Sequence, residues 1–190
     1  MFNKNHITQL IKRSAKIVIN ASSMRNQGKP GMILKIRKHL VDSIDISKLG
    51  SLEEKTFNKF IEAHTDNLVK FCKDKEIEWG TARKAINLFL MDIVYNKYLN
   101  EFYSLEKIHN LLEIPLDNKV SKRLKKVAKE KDSVLPVWGG ICNIDKNEYI
   151  EFQKFALEIA KDKKMNRVDL DIYFWTEDVK DSKSQSLHFQ

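Results

Sequence analysis

Two side chains of this sequence stand where they could act chemically, and the first is Lys84. It follows Trp79 and Gly80 near the start of a segment that runs to about Tyr103 and is apolar nearly all round, as a buried central helix is. Burial and the positive end of a helix dipole both lower the pKa of a lysine, which favours the neutral, nucleophilic amine. In the alternative interpretation, Lys84 and its neighbour Arg83 only neutralise phosphate.

The second side chain is Asp117, which follows Pro115. The proline ends the preceding helix, and an aspartate at this place can cap the next one. A carboxylate fixed in a water-poor site stabilises a developing positive charge much better than bulk water does. The alternative is a simple N-cap, worth about 1 kcal/mol to its helix and nothing to catalysis. One residue can serve both roles.

The elements that must position these side chains are helical. Only six glycines and three prolines interrupt the 190 residues, and the apolar residues follow helical spacing. The pattern predicts helices over 7–24, 32–44, 51–75, 79–103, 104–112, 119–129 and 145–164. Ser51 and Glu54 form a Ser-x-x-Glu capping box for the third, and Asp145 with Glu148 caps the last. Residues 168–175 alternate as a strand does, so the residues alone leave their conformation open.

The formal net charge is +8, and the excess lies at one end of the chain. Residues 1–41 hold nine basic side chains and no acidic one, which favours a polyanion partner. Two alternatives stay open, a solvated basic face and an acid-poor organelle transit peptide. Residues 119–129 show six further cations, which either lie along a phosphate backbone or remain solvated.

The remaining composition narrows the class of protein. Cys72 and Cys142 cannot supply the four thiolates of an iron–sulfur cluster or a structural zinc site. The five histidines show no metal or acid–base spacing, so we expect no metal and no cofactor, and a nucleic-acid-cleaving toxin has little support. No segment approaches the roughly 18 apolar residues of a membrane helix. We expect a reduced, cytoplasmic setting, no membrane association and no obligate protein partner.

Three stretches carry a resemblance to a known family. They are Glu-Ile-Pro-Leu-Asp-Asn-Lys-Val at 113–120, Trp-Gly-Thr-Ala-Arg-Lys-Ala at 79–85, and Arg-Val-Asp-Leu-Asp-Ile-Tyr-Phe-Trp at 167–175. They resemble, in turn, the catalytic-aspartate helix start, the turn that presents the catalytic lysine, and the base-binding C-terminal helix of the archaeal 8-oxoguanine DNA glycosylases. That family is a compact branch of the helix-hairpin-helix glycosylases. Lys84 and Asp117 are 33 residues apart, close to the separation in that branch.

The resemblance implies an all-α fold, a compact helical bundle of two small lobes with a cleft, as in helix-hairpin-helix glycosylases. It implies one domain at 1–176, with a basic N-terminal lobe at 1–75 and the catalytic helices at 76–176. A flexible tail follows at 177–190. The resemblance also favours a helix for residues 168–175.

For function, the resemblance implies a DNA glycosylase that acts on double-stranded DNA with a damaged or modified base. Such an enzyme extrudes the base from the duplex. Lys84 then attacks the sugar C1′, and Asp117 stabilises the positive charge on the deoxyribose. The resulting Schiff base permits strand cleavage, an abasic-site lyase activity. Asp171 and Trp175 are the expected base-binding residues, and Trp138 is a further candidate for the pocket wall.

The expected DNA contacts are Gly80, Arg83, Lys119, Lys122, Arg123 and Lys126. Leu88 stands where the family has an aromatic stacking residue, and Met91 where it has a pocket lysine, so two substrate classes stay open. One is 8-oxoguanine, the family default, and the other is a hypermodified cytosine of phage DNA in a defence enzyme. The alternative from another class is a non-catalytic helical nucleic-acid-binding protein that uses the basic N-terminus and residues 119–129.

Overall fold

The computed structural model describes residues 3–176, and the regular structure in that range is entirely helical. The α-helices are α1 (Lys4–Val18), α2 (Met32–Ser43), α3 (Glu54–Phe71), α4 (Trp79–Tyr95), α5 (Lys97–Tyr103), α6 (Asn118–Glu130) and α7 (Lys146–Asp162). Short 3₁₀ turns lie at Ile46–Ser51, Lys73–Lys75, Leu105–Leu111 and Arg167–Asp169, and residues 170–176 are helical. The predicted all-α class is confirmed for these residues. The predicted tail at 177–190 lies outside them, and no helix within 3–176 combines the length and apolarity needed to span a membrane.

The first hydrophobic cluster is centred on α4. Twelve of the 17 residues of this helix are buried, which confirms the predicted buried central helix. Helices α1 and α3 pack against it, and Phe57, Ile86 and Phe89 are fully buried among them. Truncating a phenylalanine buried in this way to alanine costs roughly 3–5 kcal/mol. The cluster therefore holds α4, with Lys84 on it, in one place.

A second hydrophobic cluster joins α6, α7 and the helical residues 170–176. Helix α6 contributes Val120 and Leu124, α7 contributes Phe152, and the C-terminal helical segment contributes Phe174, all fully buried or nearly so. Apart from Val168, the buried residues of the first cluster end at Leu112, and those of the second begin at Ile114. Asp117 lies just after this changeover, between Leu116 and Val120 of the second cluster.

Two predicted helix starts are confirmed. Asp117 occupies the N-cap of α6, and Asp145 occupies the N-cap of α7. The second is a complete capping box, because the Asp145 carboxylate accepts from the backbone N–H of Glu148 at 2.9 Å and the Glu148 carboxylate accepts from the N–H of Asp145 at 3.1 Å. These local signals depend on neighbours three residues apart, so the sequence alone could reveal them.

The capping box predicted for α3 is wrong. Ser51 ends the 3₁₀ turn before the helix and donates its hydroxyl to the carbonyl oxygen of Lys48 at 2.8 Å. Glu53 takes the N-cap position and makes no side-chain cap. Ser51 does not cap α3, because its hydroxyl already makes a hydrogen bond within the preceding turn.

The single helix predicted for 79–103 is also wrong, because it breaks at Asn96. The Asn96 side chain accepts from the backbone N–H groups of Tyr98 and Leu99 at 3.1 and 3.2 Å, and so caps α5 as a new helix. Asparagine competes with helical hydrogen bonding in this way, and an apolar pattern on both sides conceals the break.

Residues 167–176 form a 3₁₀ turn followed by a helix, which settles the ambiguity of 168–175 in favour of helix. Asp169 anchors the start of this segment, since its carboxylate accepts from the Tyr95 hydroxyl at 2.6 Å and lies 2.8 Å from His109 Nε2. Helix geometry then places Asp171 and Trp175, four residues apart, on one face.

Candidate active site

A cavity of about 810 Å³ brings together side chains from distant parts of the sequence. Its walls come from the turn at 20–27, from α4, from residues 115–119, from the loop at 139–143 and from the C-terminal helical segment. The residues that the chemistry would use are among them: Lys84, Asp117, Asp171 and Trp175. The predicted catalytic pair and two of the three predicted base-binding residues therefore line the same cavity.

Lys84 lies on the first turns of α4 and is only 5% exposed. Its Nζ donates to the carbonyl oxygen of Ser23 at 2.6 Å. Burial lowers the pKa of Lys84, while the negative charge of Asp117 and Asp171 and the Cys142 thiol oppose this effect. The net direction is downward, so the neutral amine is more accessible than in an exposed lysine, as a nucleophilic role requires.

Asp117 is both a helix cap and a cavity residue. Its backbone is extended, and its Oδ1 accepts from the N–H groups of Lys119 and Val120 at 2.8 Å each. Both cap bonds use the same oxygen, so Oδ2 is not engaged by the cap. Because two hydrogen bonds from backbone N–H groups fix the carboxylate, Asp117 presents a pre-oriented negative charge to the cavity.

Asp171 is a partly buried carboxyl group near Asp117. Burial and the charge of Asp117 raise the pKa of Asp171 to about 7, against the opposing effect of Lys119, Lys84 and a hydrogen bond from Trp175. Near neutral pH this group is therefore divided between carboxylic acid and carboxylate. A carboxyl group in that state can donate a hydrogen bond as well as accept one.

Of the three tryptophans in the chain, one lies on the cavity. Trp175 is 52% exposed, and the Nζ of Lys119 lies 3.5 Å from its ring centroid. Trp138 is not among the lining residues. Its ring packs edge-on against Phe152 at 5.5 Å, and its Nε1 donates to the Oδ1 of Asn118 at 2.8 Å. The structure thus separates Trp138 from the base-binding group in which the sequence placed it.

Arg83 does not lie on a DNA-binding surface, which corrects the prediction. It is 6% exposed, and its Nε and Nη2 each donate to Glu113 at 2.8 Å. Glu113 also accepts from Asn87 and from the Tyr149 hydroxyl, at 2.9 and 2.7 Å. The ion pair is internal because its partner, 30 residues away, is brought to α4 only by the fold.

Gly80 is also buried, so the predicted DNA contact at this position is corrected as well. A Cβ built on Gly80 would come within 2.0 Å of the carbonyl oxygen of Ile141. Glycine is therefore needed for the close approach of the loop at 139–143 to the start of α4. That contact brings the Sγ of Cys142 to 3.6 Å from the Oγ1 of Thr81, and residues 139–143 of the loop line the cavity.

The remaining predicted DNA contacts lie on α6. Lys122 and Lys126 are exposed, and Lys119 and Arg123 are partly buried. Lys119 lines the cavity, so this basic surface begins at the cavity and continues along the helix.

The turn at 20–27 is a part of the site that the sequence analysis missed. Gln27 is 9% exposed and lines the cavity. Its Nε2 donates to the carbonyl oxygen of Ser23 at 3.0 Å, which fixes the orientation of the amide. Its Oε1 is buried without a hydrogen-bond partner within residues 3–176. An unpaired buried acceptor beside a cavity suits an N–H donor of a ligand. The one sequence signal was the run of polar residues after α1.

Comparison with protein-family models, with curated proteins and with solved structures finds no match to this chain. Within residues 3–176, no three His, Cys, Asp or Glu side chains come together as a metal site would require.

Proposed function

We propose that this chain is a DNA glycosylase with abasic-site lyase activity, which excises a damaged or modified base from double-stranded DNA. The observation that carries the proposal is the convergence of Lys84, Asp117 and Asp171 on one cavity, although they lie far apart in the sequence. A buried lysine with a lowered pKa beside a pre-oriented carboxylate is the pair that cleavage of an N-glycosidic bond needs.

The cavity suits an extruded nucleotide. Its volume of about 810 Å³ falls within the usual range of small-ligand sites. Trp175 offers an aromatic face, Gln27 offers an unpaired acceptor, and Asp171 offers a carboxyl group that can donate or accept. Together these groups can stack on a base and bind its edge, as enzymes that flip bases do.

The proposed reaction uses the two catalytic side chains in sequence. The neutral Lys84 amine attacks C1′, the bond from C1′ to the base nitrogen breaks, and its electron pair leaves with the base, which takes up a proton. Asp117 stabilises the positive charge that develops on the deoxyribose. The sugar ring then opens to a Schiff base on Lys84, from which elimination of the 3′ phosphate cuts the strand.

The finer architecture belongs to this proposal too. In it the chain is a two-lobed helix-hairpin-helix glycosylase with a cleft, closest to the archaeal 8-oxoguanine branch. Two observations support this arrangement: Lys84 lies on a helix of the first hydrophobic cluster, and Asp171 lies on a segment of the second. The partner would be duplex DNA, and association with the nucleoid would follow from that binding.

Base release from defined duplexes tests the proposal. The substrates carry 8-oxoguanine or glucosylated hydroxymethylcytosine, and the products are the free base and the cut strand. We expect Asp117→Asn to slow base release by about 100-fold or more, the size of effect seen when one electrostatic stabiliser is removed. We expect Lys84→Ala to abolish strand cleavage. Lys70→Ala, an exposed lysine on α3, is the control and should match the wild type.

The second candidate function is a non-catalytic nucleic-acid-binding protein, favoured by the exposed cations of α6. It predicts salt-dependent binding that both cavity substitutions leave unchanged, and no abasic product on any duplex. That result would replace the glycosylase proposal.

A further inference from the structure

The C-terminal end of α1 is closed by side chains. The last carbonyl groups of a helix have no partner within the helix. The carbonyl oxygens of residues 16–19 each accept a hydrogen bond from a side chain. Arg37 donates to the first and the last of them, at 3.0 and 2.7 Å, and Asn20 and Ser23 donate to the two between, at 2.6 Å each. These bonds tie the turn at 20–27 to the end of the helix.

Asn20 organises the first half of this turn. Its Oδ1 accepts from the backbone N–H groups of Ser22 and Ser23 at 2.8 and 3.0 Å, which is an Asx turn. Its own N–H donates to the Oγ of Ser23 at 3.0 Å, and its carbonyl oxygen accepts from the N–H of Met24 at 3.0 Å. Met24 is buried in the first hydrophobic cluster, so both ends of this segment are fixed.

The carbonyl group of Ser23 is thereby held in one place, and it contacts the cavity side chains directly. Its oxygen accepts from the Nζ of Lys84 at 2.6 Å and from the Nε2 of Gln27 at 3.0 Å, so both of its lone pairs are used. A carbonyl oxygen is neutral, and unlike a carboxylate it brings no charge that would keep the amine protonated. A neutral amine still has N–H groups to donate, so this bond orients Lys84 in its nucleophilic form.

We propose that Asn20 is a positioning residue for Lys84, which acts through the Ser23 carbonyl that its side chain fixes. This inference rests on the proposed function, in which Lys84 is the nucleophile. The connection is short, because Asn20 bonds the N–H of Ser23 and the carbonyl of the same residue bonds the Lys84 amine. Displacement of a reacting group by about 1 Å can slow a reaction by about 100-fold, so loss of the turn should slow the chemical step.

The position of Lys84 is measured first by NMR, without DNA. In protein made with isotope-labelled lysine, the pair of protons on Cε has separate shifts when the side chain is fixed and one merged shift when it rotates freely. Lys84→Ala assigns the signal, and melting curves set a temperature at which every variant is folded. Asn3 is the matched control, because it is an exposed asparagine whose Oδ1 caps the other end of α1. We expect separate shifts in the wild type and in Asn3→Ala, and a merged shift in Asn20→Ala. Separate shifts that persist in Asn20→Ala would overturn the proposal.

The effect on the chemistry is measured by trapping the Schiff base with borohydride on a duplex that carries an abasic site. At saturating duplex, Asn20→Ala should form the adduct about tenfold more slowly or worse, while its affinity for the duplex stays within about threefold of the wild type. Asn20→Ser should lie between the two, because a serine hydroxyl makes the same turn bonds more weakly. Asn3→Ala should match the wild type.

An unchanged rate of adduct formation in Asn20→Ala would overturn the proposal. If the affinity alone weakened, Asn20, which itself lines the cavity, would be a DNA contact and not a positioning residue. Failure of the proposed function is distinguishable, because the wild type would then form no adduct. The NMR comparison would still decide whether the turn holds Lys84.

Discussion

Replacing Arg83 by methionine tests whether this residue belongs to the interior or to a DNA surface. The guanidinium makes two hydrogen bonds of 2.8 Å to Glu113, and both residues are more than nine-tenths buried. The pair joins the segment that carries Lys84 to the segment that leads into Asp117. Its loss should therefore destabilise the whole fold and disturb the spacing of Lys84 and Asp117.

The expected magnitude follows from the burial. Methionine retains most of the apolar stem but leaves the Glu113 carboxylate buried without its cation, which costs about 3–5 kcal/mol. This is a large share of the roughly 5–15 kcal/mol by which domains are stable. Burial raises the pKa of Glu113, but the Arg83 guanidinium overrides this and holds that pKa at about 2. The stability due to the pair is therefore present above the ordinary pKa of 4.5 and lost as the pH falls towards 2.

Urea unfolding followed by circular dichroism measures the effect. Arg83→Met and Glu113→Gln should each lower the free energy of unfolding by about 3–5 kcal/mol, and the double variant should lose less than their sum. Arg13→Met, at an exposed position on α1, should stay within about 0.5 kcal/mol of the wild type. An Arg83→Met variant of wild-type stability that binds DNA weakly would refute the internal role.

Three further predictions concern pH and salt. In the proposed reaction, the protonated Asp171 donates a hydrogen bond to the extruded base. Base release by the wild type should therefore fall as the pH rises through about 7, the raised pKa of this group, and Asp171→Asn should remove that fall; a fall that persists in the variant would contradict this role. Burial lowers the pKa of both His39 and His64, so their contribution to the free energy of unfolding should be full above about pH 6.5 and decrease as the pH falls below it. Urea midpoints at pH 7.5 and 5.5 are compared in the Asp171→Asn variant, because the raised pKa of Asp171 would shift the wild-type stability in the opposite direction; equal midpoints in that variant would contradict the prediction. The affinity for DNA should fall less steeply with salt when Lys122 and Lys126 are replaced by alanine. The negative slope of log affinity against log salt should shrink in magnitude by about one for each lysine, and an unchanged slope would show that these lysines do not contact DNA phosphates.

Much of the fold could be predicted because its signals are local. The caps at Asp117 and Asp145 need only the next few residues, and the burial of α4 is visible in its own apolar pattern. The resemblance also selected the correct conformation for residues 168–175, where periodicity alone left two. Four of the residues that the resemblance named, Lys84, Asp117, Asp171 and Trp175, line one cavity.

The parts that could not be predicted depend on partners distant in the sequence. From the sequence, Arg83 is predicted as a surface cation, and only the fold brings Glu113 beside it. Gly80 is predicted as part of a phosphate-binding turn, and only the fold packs Ile141 against it. Gln27 has no motif at all, and only the approach of α4 to the turn at 20–27 makes it part of the site. Tertiary contacts determine whether such residues are buried or line the site, and no local sequence pattern encodes those contacts.

The most direct test of the glycosylase account is to trap the covalent intermediate on Lys84. Sodium borohydride reduces a Schiff base to a stable amine, so the protein is treated with duplexes that carry 8-oxoguanine, an abasic site or glucosylated hydroxymethylcytosine. Proteolysis and mass spectrometry then locate the modified lysine. We expect an adduct on Lys84 that Lys84→Ala abolishes and Lys70→Ala retains. An adduct on another lysine, or none on any of the three duplexes, would contradict the assignment of Lys84 as the nucleophile of a glycosylase.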